Sequence, residues 1–176
     1  MSETLRGRLL VAAPILRDPN FHRTVVLVAE HSEDGAMGLV LNRPTDTPVG
    51  TALPELAQLT GETDPVYVGG PVSLESVLAV AELDDPDDAS ELLFDTVGFV
   101  QEPDVAASRG RIFVGYAGWG AGQLEAELAE DSWLVVPAEA DDLFADDPDG
   151  LWSAVLRRQG GPYALLAQMP PDPSLN

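Results

Sequence analysis

The chain has no cysteine and no lysine; all nine of its basic residues are arginine. Without cysteine there is no thiolate nucleophile, no disulfide framework and no cysteine-held zinc or iron–sulfur site. Without lysine there is no Schiff-base chemistry and no phosphate-loop lysine. Histidine is nearly as scarce, since only His22 and His31 occur, so acid–base catalysis has few candidates. Long apolar runs are missing too. The stretch from Leu9 to Leu16, interrupted by Pro14 and closed by Arg17, is too short to cross a bilayer and poor as a signal peptide. The expectation is a soluble, cytoplasmic protein with no membrane partner. No G-x-S-x-G elbow is present, and Ser32 and Ser73 read as turn residues.

What is abundant is acid. The net charge is −21, and it is unevenly placed: residues 1–43 balance five arginines against five acids, whereas the rest of the chain carries four arginines against 25 acids. Such a body is repelled by a duplex unless its arginines gather on one face, so direct nucleic-acid binding is disfavoured. At 176 residues the chain suits a single domain, and one of that size buries roughly 70% of its unfolded surface.

Taken in order, Gly7 to Ala12 and Thr24 to Ala29 read as strands that are apolar on both faces, as for central strands covered on two sides. A polar turn containing Gly35 leads to a third strand, Ala36 to Leu41, making a hairpin. Thr45 to Pro48 reads as loop, with a helix starting at Pro48 or, better, at Pro54. Val66 to Val68, Ser76 to Leu83, Phe94 to Gln101, Arg111 to Tyr116 and Trp133 to Val136 read as further strands, and Pro103 to Ser108 as a short helix. A last helix from about Pro148 to Gln159 shows the stripe Leu151, Trp152, Val155 and Leu156, with Arg157 and Arg158 suiting its C-terminal end. Strands outnumber helices without strict alternation. The fold class expected is α+β, a single domain over 1–176 with a large mixed β-sheet flanked by a few helices, and 170–176 as a loose tail.

The stretch with the strongest functional look is Gly118-Trp119-Gly120-Ala121-Gly122, between a strand and the helix that starts near Leu124. Dinucleotide folds place a pyrophosphate at such a junction. The spacing is not G-x-G-x-x-G, however, and Glu125 and Glu127 put negative charge where a phosphate would sit. The plainer reading is a sharp turn with Trp119 and Tyr116 capping the sheet edge. His31, beside Glu30, Glu33 and Asp34, is a secondary candidate as a base or ligand, against a structural or surface role. Arg17, Arg23 and Arg43 lie near turns in an acidic protein and could receive an anion or a carboxylate-bearing partner, against pairing with the protein's own acids. The tract Asp146 to Gly150 lacks the carboxylates an EF-hand loop needs at Ala145 and Leu156, so it reads as a helix start. No metal and no cofactor are expected.

Several separated blocks together resemble the YqgE/AlgH family of bacterial proteins: Asp18-Pro19 with Phe21, Arg23 and Val25; Glu30-His31; Gly35 to Pro44; Gly69-Gly70-Pro71-Val72; Gly115 to Glu125 with Glu127; then Trp133-Leu134 and Trp152. The resemblance runs from about Gly7 to Gln159. It implies a compact cytoplasmic α+β domain with a large mixed sheet, a family label of transcriptional regulator and no settled activity. The chain departs from the family at Val77-Leu78-Ala79-Val80, where a histidine is usual, and at Ala29, where a cysteine is frequent. The resulting expectation is a non-catalytic regulatory or interaction protein acting on transcription indirectly. Its contact surface would comprise Asn42, Arg43, Gly69, Gly70, Pro71, Tyr116, Gly118, Trp119, Gly120 and Gly122. The alternative is a small-ligand or nucleotide-binding protein, or a hydrolase, using the Gly118 to Gly122 loop. The partner is a protein or an unidentified small ligand, and the oligomeric state is left open.

Overall fold

Strand geometry sends successive side chains of two continuous apolar runs to opposite faces of a sheet, and both faces are covered. Leu9, Val11, Val25, Leu27 and Ala29 join one buried cluster, while Leu10, Ala12, Val26 and Val28 join another. The runs belong to β1 (Arg8–Ala12) and β2 (Val25–Ser32) in the computed structural model of the protein, which describes residues 4–14, 16 and 21–168. The remaining strands are β3 (Gly35–Val40), β4 (Pro44–Pro48), β5 (Pro65–Val68), β6 (Val72–Leu83), β7 (Glu91–Phe94), β8 (Val97–Val100), β9 (Ala107–Gly120) and β10 (Trp133–Pro137).

The strand order is β10-β1-β2-β3-β9-β6-β8-β7, antiparallel along this path. Off the path, β5 pairs antiparallel with β4 and parallel with β9, which makes the sheet mixed. The sheet also curls. Just before β1, Arg6 pairs with Glu91 at 3.0 Å and donates to the Leu92 carbonyl of β7, the strand at the far end of the order. The expected α+β fold, one domain with a large mixed sheet and a few helices, is the one observed.

Short helices cover the faces. Helices α1 (Val49–Ala52) and α2 (Ala57–Thr60) pack Val49 and Leu59 against Ile112 and Ala81; α3 (Gln123–Ala129) packs Leu124 beside Trp119 and Trp133. On the other face lie α4 (Ala140–Leu143), α5 (Leu151–Gln159) and α6 (Gly161–Leu166). The α5 stripe is buried as its periodicity requires, and Trp152 donates its indole N–H to the Ala12 carbonyl at 2.8 Å. Arg158 in the last turn of α5 grips the buried Asp142 with two hydrogen bonds of 2.6 and 3.0 Å. Among the described residues no helix is long and apolar enough to cross a membrane.

Several local expectations are corrected. Thr45 to Pro48 lies within β4, pairing with β5. The helix expected from Pro48 or, better, Pro54 is three short pieces, Val49–Ala52, Pro54–Leu56 and Ala57–Thr60, the first of them starting right after Pro48, because Pro54 forces the preceding Leu53 out of helical geometry and restarts the chain as a 3₁₀ turn. The strand expected over Phe94 to Gln101 is the β7–β8 hairpin, turning at Asp95, which adopts φ 48°. The helix expected over Pro103 to Ser108 does not form, since Ala107 already pairs with Leu83 in the sheet. Arg17 and the 170–176 tail lie outside the described residues.

Candidate functional site

The site arises where three strands meet. β3 and β9 pair from Gly35–Gly120 to Gly38–Ala117 and then part, and the end of β5 enters the gap. Gly69 closes it: its carbonyl accepts from Val40 of β3, and its N–H donates to Val114 of β9. The crossing brings backbones too close for side chains. Gly115 adopts φ 72°, and a Cβ there would stand 2.5 Å from the Gly70 carbonyl oxygen, while a Cβ on Gly70 would collide with the Tyr116 backbone. These glycines belong to strand packing.

Past the crossing, β6 pays for the detour with a bulge. Val72 pairs with Tyr116 and Val77 with Val114, so residues 73–76 stand opposite Gly115 alone. Ser73 takes the left-handed φ of 51°, and Leu74 is pushed outward to 53% exposure while its methyl still covers Gly115. The sequence carried a signal that was missed: apolar alternation runs Val72, Leu74 and then skips to Val77, a break of one residue in a period of two.

An open groove of about 530 Å³ results, walled by Val40, Val68, Pro71 and Leu74, with Asn42, Arg43, Pro44 and Gly70 at one side and Asp149 at its rim. Its two polar candidates differ in kind. The Asn42 amide is spent on the backbone, accepting from Val25 N at 3.1 Å and donating to Arg23 O at 3.0 Å. Arg43 is exposed, donates to the His22 carbonyl at 2.6 Å and forms no ion pair among the described residues, in a chain with 30 acids. Arg6, Arg109, Arg111 and Arg158 are all paired with carboxylates; Arg8 and Arg157, like Arg43, are exposed and form no ion pair among the described residues, but Arg43 is the one that lines this groove. The groove thus offers one cation, one anion and an apolar floor, and its lining holds no histidine, serine or threonine to act as base or nucleophile.

The surface proposed from the sequence is therefore only half assembled. Asn42, Arg43, Gly70 and Pro71 share the groove, with Gly69 buried at its base, and Tyr116 and Gly118 continue along β9 beside Val72. Trp119 does not join them. β9 stays extended to Gly120, so Trp119, at the next alternating position, points through to the opposite face and is 5% exposed. There it lies against Phe21 and Trp133 at centroid distances of 6.1 and 6.0 Å. Glu127 holds this cluster: its Oε1 accepts from both indole N–H groups, at 3.0 Å from Trp119 and 2.9 Å from Trp133.

Gly120 and Gly122 sit at the far end of β9. The Gly120 N–H is taken by the Gln123 side chain at 3.0 Å, and Gly122 begins a helix of only seven residues with Glu125 in its first turn. His31 is committed on both sides: Nδ1 accepts from Leu5 N at 3.0 Å, which leaves Nε2 as the protonated nitrogen donating to Glu125 at 3.1 Å. It ties the N-terminal segment and the β2–β3 hairpin to α3. Arg23 lies 4.1 Å over the Trp152 ring, and burial lowers its guanidinium from the ordinary value. Asp147 caps its own 3₁₀ turn ahead of α5, as a helix start does. Among the described residues no cluster of histidine and carboxylates could hold a metal ion.

Comparison with known proteins gives a consistent picture. A family model described as AlgH-like matches residues 9–164. UPF0301 proteins of Streptomyces coelicolor and Thermobifida fusca are 48% and 43% identical to this chain, over 98% of it and 96% of each relative. Among solved structures, the crystal structure of a protein from Corynebacterium diphtheriae superposes with a TM-score of 0.87 at 31% identity, covering 95% of this chain and 93% of the other. The solution structure of the AlgH protein from Pseudomonas aeruginosa gives 0.71 at 31% identity, covering 97% and 98%. The resemblance read from the motif blocks holds.

Proposed function

This chain belongs to the AlgH-like family, and from that premise we propose that it is a non-catalytic interaction protein of the cytoplasm whose Arg43 groove receives a carboxylate-bearing protein partner. The observation that carries the reading is an exposed arginine with no ion pair among the described residues, set beside an outward leucine in a molecule otherwise rich in acid. A guanidinium next to an apolar wall matches a partner's carboxylate flanked by an apolar side chain. An effect on transcription runs through such a partner, because a net charge of −21 opposes contact with DNA. The test is Arg43→Glu, with an unchanged melting temperature to confirm the fold. Partners recovered by wild type should be lost by this variant, and an identical set overturns the reading.

The alternative, a small ligand or nucleotide at Gly118 to Gly122, has less support. One N–H of that stretch is already occupied and the following helix begins among acids. A ligand at 100 times its Kd adds about 2.7 kcal/mol. In a chain of this size that raises the melting temperature by roughly 5–10 °C. A thermal-shift panel of nucleotides and metabolites separates the two readings, and a flat panel removes the alternative.

A further inference from the structure

The ladder between β6 and β8 covers only Ala79–Val100 to Glu82–Val97, although β6 begins at Val72. Beyond Val100 the chain leaves the sheet through Gln101, Glu102 and Pro103, and among the described residues no strand takes its place beside Leu74 to Leu78. A second groove, about 470 Å³, lies at that point and is lined from both faces of the sheet: Leu56 and Val77 on one, Met37, Leu78 and Phe99 on the other. A groove that straddles a sheet edge has the shape of a missing strand.

The edge is also lightly guarded. Sheet edges are usually blunted by lysine, by proline or by covering segments. Here residues 74–78 contain no lysine or proline and, among the described residues, no strand covers them; the bulge at 73–76 and Glu75 are the guards present, and Leu74 and Val77 are 53% and 43% exposed, two of the five large hydrophobic residues exposed among the described ones. The charge around the edge is of one sign. Glu30 lines the groove, Glu75 lies on the edge, and neither forms an ion pair among the described residues.

We infer that the open edge of β6 at Leu74 to Leu78 accepts an extended polypeptide segment of a partner, alternating apolar with arginine or lysine side chains, as an added strand in line with β8. Backbone hydrogen bonds supply affinity, and alternating side chains meet the two faces of the groove. A second copy fits poorly, because antiparallel pairing of two such edges about a two-fold axis at Ser76 brings the two Glu75 side chains to diagonal positions between bodies of charge −21. This inference rests on the reading of the protein as an interaction module and adds a surface that adjoins the Arg43 groove at Leu74.

The test uses the full chain at physiological ionic strength with a short peptide alternating valine and lysine. Controls are a valine–glutamate peptide and a serine–lysine peptide of the same charge. Expected are binding of the first alone, slowed amide exchange at residues 74–78, and about tenfold weaker binding to Val77→Lys. Arg43→Ala should bind the peptide as wild type does. Equal binding of the serine–lysine peptide, protection elsewhere in the chain, or a dimer that Val77→Lys dissociates overturns the inference. If Val77→Lys has no effect while Arg43→Glu still loses its partners, the edge fails and the groove reading stands.

Discussion

Removing the Glu127 carboxylate tests whether Trp119 is a core residue or a contact residue. Its Oε1 is the acceptor for two indole N–H groups, and Oε2 accepts from Gln123 at 3.0 Å. Trp119 and Trp133 are 5% and 3% exposed, so Glu127→Ala leaves both N–H groups short of a partner and of water. Each orphaned donor costs about 1–3 kcal/mol when buried; with Glu127 itself half-buried, the two together come to about 2–4 kcal/mol. For a domain of this size the melting temperature falls by about 5–15 °C. Glu127→Gln retains an oxygen for the indoles and should recover most of the loss. Urea denaturation followed by tryptophan fluorescence reads both the stability and the surroundings of the rings. If Glu127→Ala melts within about 2 °C of wild type, with unchanged emission and acrylamide quenching, the cluster is not holding the sheet and Trp119 returns as a surface candidate.

Gly115→Ala should destabilise by more than about 2 kcal/mol, because it combines a left-handed φ with a collision against Gly70. Gly118→Ala, whose Cβ would meet nothing nearer than 3.6 Å, should stay within about 0.5 kcal/mol of wild type; a reversed order by chemical denaturation refutes the crossing geometry. Asn42→Ala, which strips the backbone of Arg23 and Val25 of their amide partner, should cost about 1–2 kcal/mol. Arg43→Ala should cost less than about 0.5 kcal/mol, and similar costs for the two would contradict the division between a structural and a contact residue. Burial raises the Asp64 carboxyl above its ordinary value, with Arg111 at 3.6 Å opposing. The native state therefore holds this proton more tightly than the unfolded chain, and the stability it contributes is present below the ordinary value and lost as pH rises through the raised one. The melting-temperature difference of wild type minus Asp64→Asn should fall across that interval, and a rise refutes the assignment.

What the sequence made legible was whatever depends on local pattern. Both-face burial of β1 and β2, the hairpin at Gly35 and the α5 stripe follow from unbroken apolar runs, a polar glycine turn and helical spacing among neighbours in the chain. What it concealed depends on long-range pairing. Gly69 and Gly70 read as a turn after a strand and Gly115 as an ordinary strand position, because the reason all three are glycine, close approach of β5 to β9, lies between segments more than forty residues apart. The alternation of Gly118, Trp119 and Gly120 has the same composition as a ligand loop, and only the pairing of Ala36 with Trp119 shows that it is strand. Glu127 was legible as a helix-surface acid, but its acceptor role needed both tryptophans brought to one face. His31 was flanked by acids in sequence, yet its partner is Glu125 on α3.

The two proposed contact features have one structural cause. Insertion of β5 between β3 and β9 requires Gly115 to turn left-handed, and the bulge at residues 73–76 lies directly opposite that turn. The bulge sets Leu74 at the wall of the Arg43 groove and begins the stretch of β6 that β8 leaves unpaired. A perturbation at the crossing must therefore disturb both surfaces together, whereas Arg43 and Val77 line separate grooves and can be changed one at a time. That separation gives the single variants their meaning: a partner sensitive to Arg43 alone reads the groove, one sensitive to Val77 alone reads the edge, and one sensitive to both spans the bulge between them.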